Sequence, residues 1–131
     1  MERERNIIEV VGAIIRQGDR YLVGQRPAAK TQGGKWEFMG GKIDSGETPE
    51  EALVRECREE LDFEIDIDRV LDSVVHDYPE KTIRLTLLSC SPKAGSVPRA
   101  LEHQQIRWVT RGEMDELDFA AADRELIVRL F

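Results

Sequence analysis

Three glutamates, Glu56, Glu59 and Glu60, are spaced as neighbours on one face of a helix. Carboxylates held this close repel one another unless a cation lies among them. Magnesium prefers oxygen ligands and commonly bridges carboxylates to substrate phosphates, and the face carries no histidine or cysteine that would favour zinc. The spacing therefore predicts a magnesium site. A solvated acidic face is the more common explanation of such residues taken alone.

The helix that carries these glutamates has clear end signals. Thr48 is suited to the N-cap, Pro49 to the first helical position, and Glu51 to the third position of a capping box. These signals predict a helix from Pro49 to Leu61 or Asp62. The apolar residues Leu53, Cys57 and Leu61 recur every four positions and would face a core.

A glycine pair, Gly40 and Gly41, precedes this helix and predicts a turn whose backbone approaches phosphates closely. From Gly41 onward the sequence resembles the Nudix box, G-x5-E-x7-R-E-U-x-E-E-x-G-U, where U is a bulky apolar residue. The matching residues are Gly41, Glu47, Arg55, Glu56, Cys57, Glu59, Glu60 and Phe63. Asp62 replaces the last glycine, so we expect local strain at a left-handed helix end without loss of the acidic positions.

This resemblance implies a set of roles at the metal site. Glu56, Glu59 and Glu60 would bind Mg²⁺, or alternatively Mn²⁺, together with the carbonyl of Gly40. Arg55 would orient Glu56 and Glu47, where the alternative is a simple surface ion pair. Glu102 would join the metal site or act as the base, unless it is a solvated loop acid. His103 next to it either assists or is simply exposed.

The resemblance extends over nearly the whole chain to the MutT branch of the family, and especially to bacterial CTP pyrophosphohydrolases. It implies hydrolysis of a nucleoside triphosphate to a monophosphate and pyrophosphate, with water attacking the β-phosphorus. The shared features are the run from Ile8 to Ile15, Gln25-Arg26-Pro27, Trp36-Glu37-Phe38, Glu102-His103-Gln104 and Ala122-Asp123.

Four residues outside the box are candidates for substrate binding. Arg26 would contact phosphate, and Phe38 or Tyr78 would stack on the base unless both belong to the core. Asp123 is a candidate for selecting the base. When ionised it only accepts hydrogen bonds and suits the cytosine amino group, whereas a protonated carboxyl suits a modified purine. The alternative for Asp123 is a helix N-cap.

Composition limits the classes of protein to consider. The 131 residues, 40% hydrophobic and 34% charged, predict a single domain, 1–131. The net charge of −7 disfavours a nucleic-acid polymer as partner. We expect no signal peptide, no membrane span and a cytoplasmic location, with Cys57 and Cys90 as free thiols. The oligomeric state stays open between monomer and homodimer.

The remaining segments predict strands around this helix and a second long helix at the end. The fold class is therefore α+β, an α/β/α sandwich with a mixed sheet between helices, and the resemblance implies the same. The predicted strands are 7–15, 21–25, 36–38, 63–67, 70–75, 83–90 and 105–109, and the further helices are 111–117, capped by Thr110, and 121–130.

Three alternatives to a triphosphate pyrophosphohydrolase remain at this point. One is a Nudix hydrolase of a nucleoside diphosphate linked to another group, such as a sugar, although short loops favour the smaller substrate. Another is a sensing domain without turnover, which commonly lacks box acids that are present here. The last is an inert helix with surface acids.

Overall fold

Six strands and three helices form the fold in residues 6–131, which the computed structural model describes. Residues 1–5 of the predicted domain lie outside the described residues. Within the described range, no helix combines the length and the apolar character that crossing a membrane requires. The strands are β1 (Ile7–Gln17), β2 (Arg20–Gln25), β3 (Trp36–Lys42), β4 (Ile65–Asp77), β5 (Thr82–Pro92) and β6 (Gln105–Val109), and the helices are α1 (Pro49–Leu61), α2 (Arg111–Met114) and α3 (Ala121–Leu130).

The strands form one mixed sheet in the order β4-β5-β1-β3-β2-β6. β1 and β5 run parallel, with Ile7 opposite Thr82 and Ile15 opposite Cys90. The other pairings among the described strands are antiparallel. The sheet is therefore mixed, as predicted, and β1 and β3 lie at its centre next to the start of α1.

Side chains alternate between the two faces of the sheet and build two cores. From β1, Val11 packs with Leu53 of α1, whereas Ile14 belongs to the core that contains Leu126 and Ile127 of α3. Alternation follows from the two-residue period of a strand. One helix layer thus covers each face, which confirms the predicted α/β/α sandwich.

The ends of α1 agree with the sequence signals. The Thr48 hydroxyl accepts a hydrogen bond from the Glu51 amide at 3.1 Å, and the Glu51 carboxylate accepts one from the Thr48 amide at 2.9 Å. A cap of this kind is worth about 1 kcal/mol. Asp62 ends the helix in the left-handed conformation at φ 48°, where glycine is the usual residue.

The prediction of a glycine turn before α1 was wrong. Gly40 and Gly41 are part of β3 and pair with Gly12 and Val11 of β1. Gly40 has φ 153°, and a Cβ atom there would collide with the carbonyl oxygen of Val11. The glycine at position 40 therefore allows two central strands to approach each other.

Two other boundaries differ from the predictions. The predicted strands 63–67 and 70–75 form the single strand β4, whose register shifts between Ile67 and Arg69 and again between Val70 and Asp72. These bulges interrupt the alternation of apolar residues, so the sequence resembles two strands. The helix capped by Thr110 ends at Met114 rather than at 117, because the chain continues in turns with Leu117 bonded to the Met114 carbonyl.

Both cysteines are free and buried, as predicted. Cys57 lies on α1 and Cys90 on β5, in the same core. Burial raises the pKa of Cys90 to about 12 and raises that of Cys57 as well. Both thiols therefore act as small apolar side chains at neutral pH.

Candidate active site

Most of the predicted site residues line one cavity of about 500 Å³. It extends from the end of β3 and α1 to the start of α3. This volume is within the usual range of small-molecule sites. Arg55 and Glu59 are outside its wall, on the solvent side of α1. The predicted residues that line it are Arg26, Phe38, Gly40, Glu56, Glu60, Tyr78, Glu102 and Asp123.

Glu60 has a buried carboxylate oxygen with no hydrogen-bond partner among the described residues. The residue is 6% exposed, and the oxygen is Oε2. Burial, with Glu56 nearby, raises the pKa of Glu60 to about 9, and a backbone hydrogen bond from Gly40 lowers it in part. A buried polar atom of this kind requires a partner. Its position beside a second carboxylate in a cavity wall fits a divalent cation with oxygen ligands.

Glu56 lies directly against the backbone of Gly41. A Cβ atom at position 41 would be 2.5–2.7 Å from the three atoms of the Glu56 carboxyl group. Burial raises the pKa of Glu56, and Arg55, at 2.9 Å from Glu56 Oε1, opposes this increase. Glycine at position 41 therefore makes room for the Glu56 carboxylate, which was not predicted from the sequence.

Arg55 connects the acidic residues around the helix start. Its guanidinium donates to both oxygens of Glu47, at 2.7 and 2.9 Å, and to the Lys42 carbonyl at 3.0 Å. It also donates to Glu56 at 2.9 Å and to Glu59 at 3.2 Å. Arg55 lowers the pKa of Glu47 to about 2. The predicted contacts of Arg55 with Glu56 and Glu47 are therefore present.

Glu59 is the member of the predicted metal triad that lies apart. Its side chain is 55% exposed and contacts Arg55 one helical turn earlier. Within residues 6–131, no three aspartate, glutamate, histidine or cysteine side chains lie close enough together to bind one metal ion. Glu56 and Glu60 thus share the cavity wall, while Glu59 lies at its margin.

Replacing Arg55 with lysine is expected to lower turnover about tenfold. A lysine keeps the charge, but its ammonium group lacks the planar fork that bonds both Glu47 oxygens and Glu56 at once. The measurement is steady-state kinetics with the substrate that the wild-type protein hydrolyses fastest. Arg58→Lys is the matched control, because Arg58 is on the same helix and bonds Glu64 at the surface. Equal turnover rates of Arg55→Lys and Arg58→Lys would indicate that Arg55 forms only a surface ion pair.

Phe38 and Tyr78 belong to the core and also line the cavity. Phe38 is 4% exposed and its ring lies 5.7 Å from that of Phe119. The Tyr78 hydroxyl accepts a hydrogen bond from the Ala122 amide at 3.1 Å. The two aromatic residues therefore belong to the core and also line the cavity, so both core packing and stacking on a base are compatible with the structure.

Asp123 is a buried acid in the first turn of α3 and is not its N-cap. The N-cap position belongs to Ala120, and the Asp123 carboxylate instead accepts a hydrogen bond from the Phe38 amide at 3.1 Å. Burial, followed by the nearby charge of Glu37, raises the pKa of Asp123 to about 8. Asp123 thus ties α3 to β3 and is largely protonated at neutral pH.

The expectation that His103 is exposed was wrong, and Glu37 was missed. The His103 side chain is 4% exposed, and its Nε2 lies 3.0 Å from Oε2 of Glu37. The other Glu37 oxygen is 2.9 Å from Arg26. Glu102, by contrast, is exposed at the cavity and contributes to raising the pKa of both Glu56 and Glu60. An acid between Trp36 and Phe38 in a central strand was the available signal for Glu37.

Known proteins resemble this chain over almost its full length. It is 37% identical over 121 residues to the CTP pyrophosphohydrolase of Escherichia coli, covering 92% of this chain and 89% of that protein. It is 40% identical over 131 residues to putative 8-oxo-dGTP diphosphatase 2 of Mycobacterium tuberculosis, covering 95% and 88%. The solution structure of the E. coli ORF135 protein superposes with a TM-score of 0.82 at 36% identity, covering 95% and 88%.

The family profile described as NUDIX domain matches residues 10–129. The predicted resemblance to this family, its MutT branch and bacterial CTP pyrophosphohydrolases is therefore confirmed. Together with the acids and glycines at the cavity, the profile and the relatives establish that the chain belongs to the Nudix hydrolase family.

Proposed function

We propose that this chain is a magnesium-dependent nucleoside triphosphate pyrophosphohydrolase. It converts a ribo- or deoxyribonucleoside triphosphate and water to the monophosphate and pyrophosphate. The observation that carries the proposal is the unpartnered buried oxygen of Glu60, beside Glu56 in the wall of a nucleotide-sized cavity. Relatives named CTP pyrophosphohydrolase and 8-oxo-dGTP diphosphatase support the same reaction.

Glu56, Glu59, Glu60 and the Gly40 carbonyl would hold Mg²⁺, with Mn²⁺ as a substitute. When bound, the metal neutralises polyphosphate charge and lowers the pKa of water. To participate, Glu59 would leave Arg55, from which it accepts a hydrogen bond at 3.2 Å, and its 55% exposed side chain is free to make this movement. Glu102 is an exposed acid that lines the cavity, and we assign it as base or additional ligand.

The opposite part of the cavity would bind the nucleoside. Arg26 offers a guanidinium at the wall, fixed by Glu37 and by the Thr31 carbonyl at 2.8 Å, and would contact a phosphate. Phe38 and Tyr78 would pack against the base. Asp123 would read its polar edge, which favours a cytosine nucleotide or oxidised dGTP as substrate.

We also propose that residues 1–131 form one domain that acts in the cytoplasm on free nucleotides. The described strands belong to one sheet, which supports a single domain. Two buried free thiols are compatible with a reducing compartment. The net charge of −7 disfavours a nucleic-acid polymer as substrate.

A panel of triphosphates with Mg²⁺ tests this function directly. CTP, dCTP, 5-methyl-dCTP and 8-oxo-dGTP are incubated with the protein, and phosphate is assayed with and without added inorganic pyrophosphatase. We expect a phosphate signal only with pyrophosphatase, because the released product is pyrophosphate. Chelation of the metal should abolish the signal.

Other outcomes of this panel favour the alternatives. Phosphate without pyrophosphatase would indicate stepwise removal of the γ-phosphate and overturn the proposed bond cleavage. If no triphosphate turns over, nucleotide sugars are assayed next. Saturable nucleotide binding without any turnover would indicate a sensing domain.

A further inference from the structure

His103 begins a chain of contacts among residues that line the cavity. Its Nε2 lies 3.0 Å from Glu37 Oε2, within hydrogen-bond distance, and an ionised carboxylate can only accept in such a bond. Glu37 Oε1 accepts from the Arg26 guanidinium at 2.9 Å. One carboxylate therefore connects the loop that carries Glu102 to Arg26, which also lines the cavity.

The backbone on each side of Glu102 is also anchored. The Leu101 amide donates to the Glu60 carbonyl at 3.1 Å, and the Gln104 amide donates to the Gln25 carbonyl at 2.9 Å. Between these two anchors, Glu102 is exposed to the cavity while His103 is buried. The buried His103 side chain is thus a further contact that holds this short segment, beside the Gln104 side chain, which donates to the Arg26 carbonyl at 2.9 Å.

The sheet provides a fitted place for the imidazole. A Cβ atom on Gly24 of β2 would come within 2.6 Å of the His103 ring. No ordinary side-chain contact is that short, so alanine at position 24 would displace the ring. The same Cβ would lie 2.9 Å from the Met39 side chain, so glycine at position 24 makes room for both His103 and Met39, independently of the hydrogen bond to Glu37.

We propose that His103 is a positioning residue that holds Glu102, through their shared loop, and Arg26, through Glu37, in the wall of the cavity. The inference rests on the proposed function, since it assigns the geometry of that same site. His103 itself needs no contact with substrate for this role. Its effect on the reaction passes through Glu102 on its own loop and through the Glu37 carboxylate to Arg26.

A double-mutant cycle measures whether His103 acts through Glu102. We expect His103→Leu to lower kcat about tenfold in the wild-type background and about two- to threefold in the Glu102→Gln background, because Glu102 is already disabled there and only the effect through Glu37 and Arg26 remains. His103→Gln, whose amide still donates to Glu37, should recover kcat to within about threefold. Equal effects of His103→Leu in both backgrounds, or equal rates of the leucine and glutamine variants, would overturn the proposal.

Gly24→Ala approaches the same contact from the β2 side. It should lower kcat in the same direction as His103→Leu, whereas Gly112→Ala, in open space on α2, should leave it unchanged. Wild-type rates for Gly24→Ala would contradict the fitted position of the ring. This comparison does not depend on replacing the imidazole itself.

An activity-independent measurement separates this inference from the proposed function. In His103→Leu, amide hydrogen exchange should accelerate at Leu101 and Gln104 while the β1 and β5 amides keep their protection. Unchanged exchange at these two amides would refute the positioning role even in an active enzyme. Absence of turnover in the wild type, with accelerated exchange in the variant, would refute the function and keep the positioning.

Discussion

Glu60→Gln is expected to lower turnover by about 10²–10⁴-fold while making the metal-free protein more stable. The first effect follows from losing a negative oxygen ligand at the proposed magnesium site, with a magnitude typical of groups that act directly in catalysis. The second follows from the burial of the Glu60 carboxyl group, which disfavours its ionised form and raises its pKa to about 9. Lower turnover combined with higher stability of the metal-free protein is the result expected for a carboxylate that binds metal.

The stability effect has a defined pH dependence. Burial raises the pKa of Glu60 from an ordinary value near 4.5 to about 9. A raised folded-state pKa contributes stability in full below about pH 4.5, and this contribution is lost as pH rises towards 9. A glutamine at position 60 cannot ionise, so the variant does not lose this stability as the pH rises. At pH 8 without metal, we expect the free energy of unfolding of Glu60→Gln to exceed that of the wild type by at least about 1 kcal/mol.

Denaturant unfolding at pH 8, with chelator and with excess Mg²⁺, measures both states. A metal at a hundred times its dissociation constant stabilises a native protein by about 2.7 kcal/mol, so the order of the two proteins should reverse when Mg²⁺ is added. Glu50→Gln is the matched control, with the same charge change on an exposed position of α1. A wild type that gains no stability from Mg²⁺ would contradict the metal site.

The fold was predictable where local signals and the hydrophobic pattern agree. Thr48, Pro49 and Glu51 define the start of α1 through contacts within four residues, and α3 was predicted with its observed bounds. The single strand β4 was not, because its two bulges depend on pairing with β5 and are invisible in the alternation of its own residues. The parallel pairing of β1 with β5 is likewise a long-range property.

The site was predictable along α1 and less so across the sheet. Fixed helical spacing placed Glu56 and Glu60 together, and the Nudix box supplied the contacts of Arg55. The hydrogen bond between His103 and Glu37 joins residues 66 positions apart, and only the sheet brings them together. Asp123 presented the same difficulty, since its partner is a backbone amide of β3 and not a neighbour in its own helix.

At pH 9, where the wild-type carboxyl is mostly ionised, Asp123→Asn is expected to shift the preference between cytosine nucleotides and 8-oxo-dGTP by about 10- to 100-fold, towards the purine. An ionised aspartate only accepts hydrogen bonds and so suits the cytosine amino group, whereas asparagine always presents a donor as well. Discrimination by such contacts is typically worth about 1–3 kcal/mol. The asparagine oxygen also preserves the acceptor for the Phe38 amide, so the variant changes the chemistry of the site and not its anchoring.

The protonation state of Asp123 makes this difference depend on pH. Burial raises its pKa from 3.8 to about 8, so the wild-type carboxyl is mostly protonated at pH 7 and mostly ionised at pH 9. The wild-type ratio of kcat/KM for CTP over 8-oxo-dGTP should therefore rise between these values, while that of Asp123→Asn stays flat. The same burial makes wild-type stability fall as pH rises from about 4 to 8, and asparagine should remove that contribution.

Competition assays with both nucleotides at pH 7 and pH 9 measure the ratio in one reaction. Asp118→Asn, the same change at an exposed residue that pairs with Lys35, is the matched control and should behave as wild type. If Asp123→Asn leaves the ranking of CTP, dCTP and 8-oxo-dGTP unchanged at both pH values, Asp123 does not select the base. Its role would then be confined to joining α3 and β3, and the selecting groups would have to come from the other walls of the cavity.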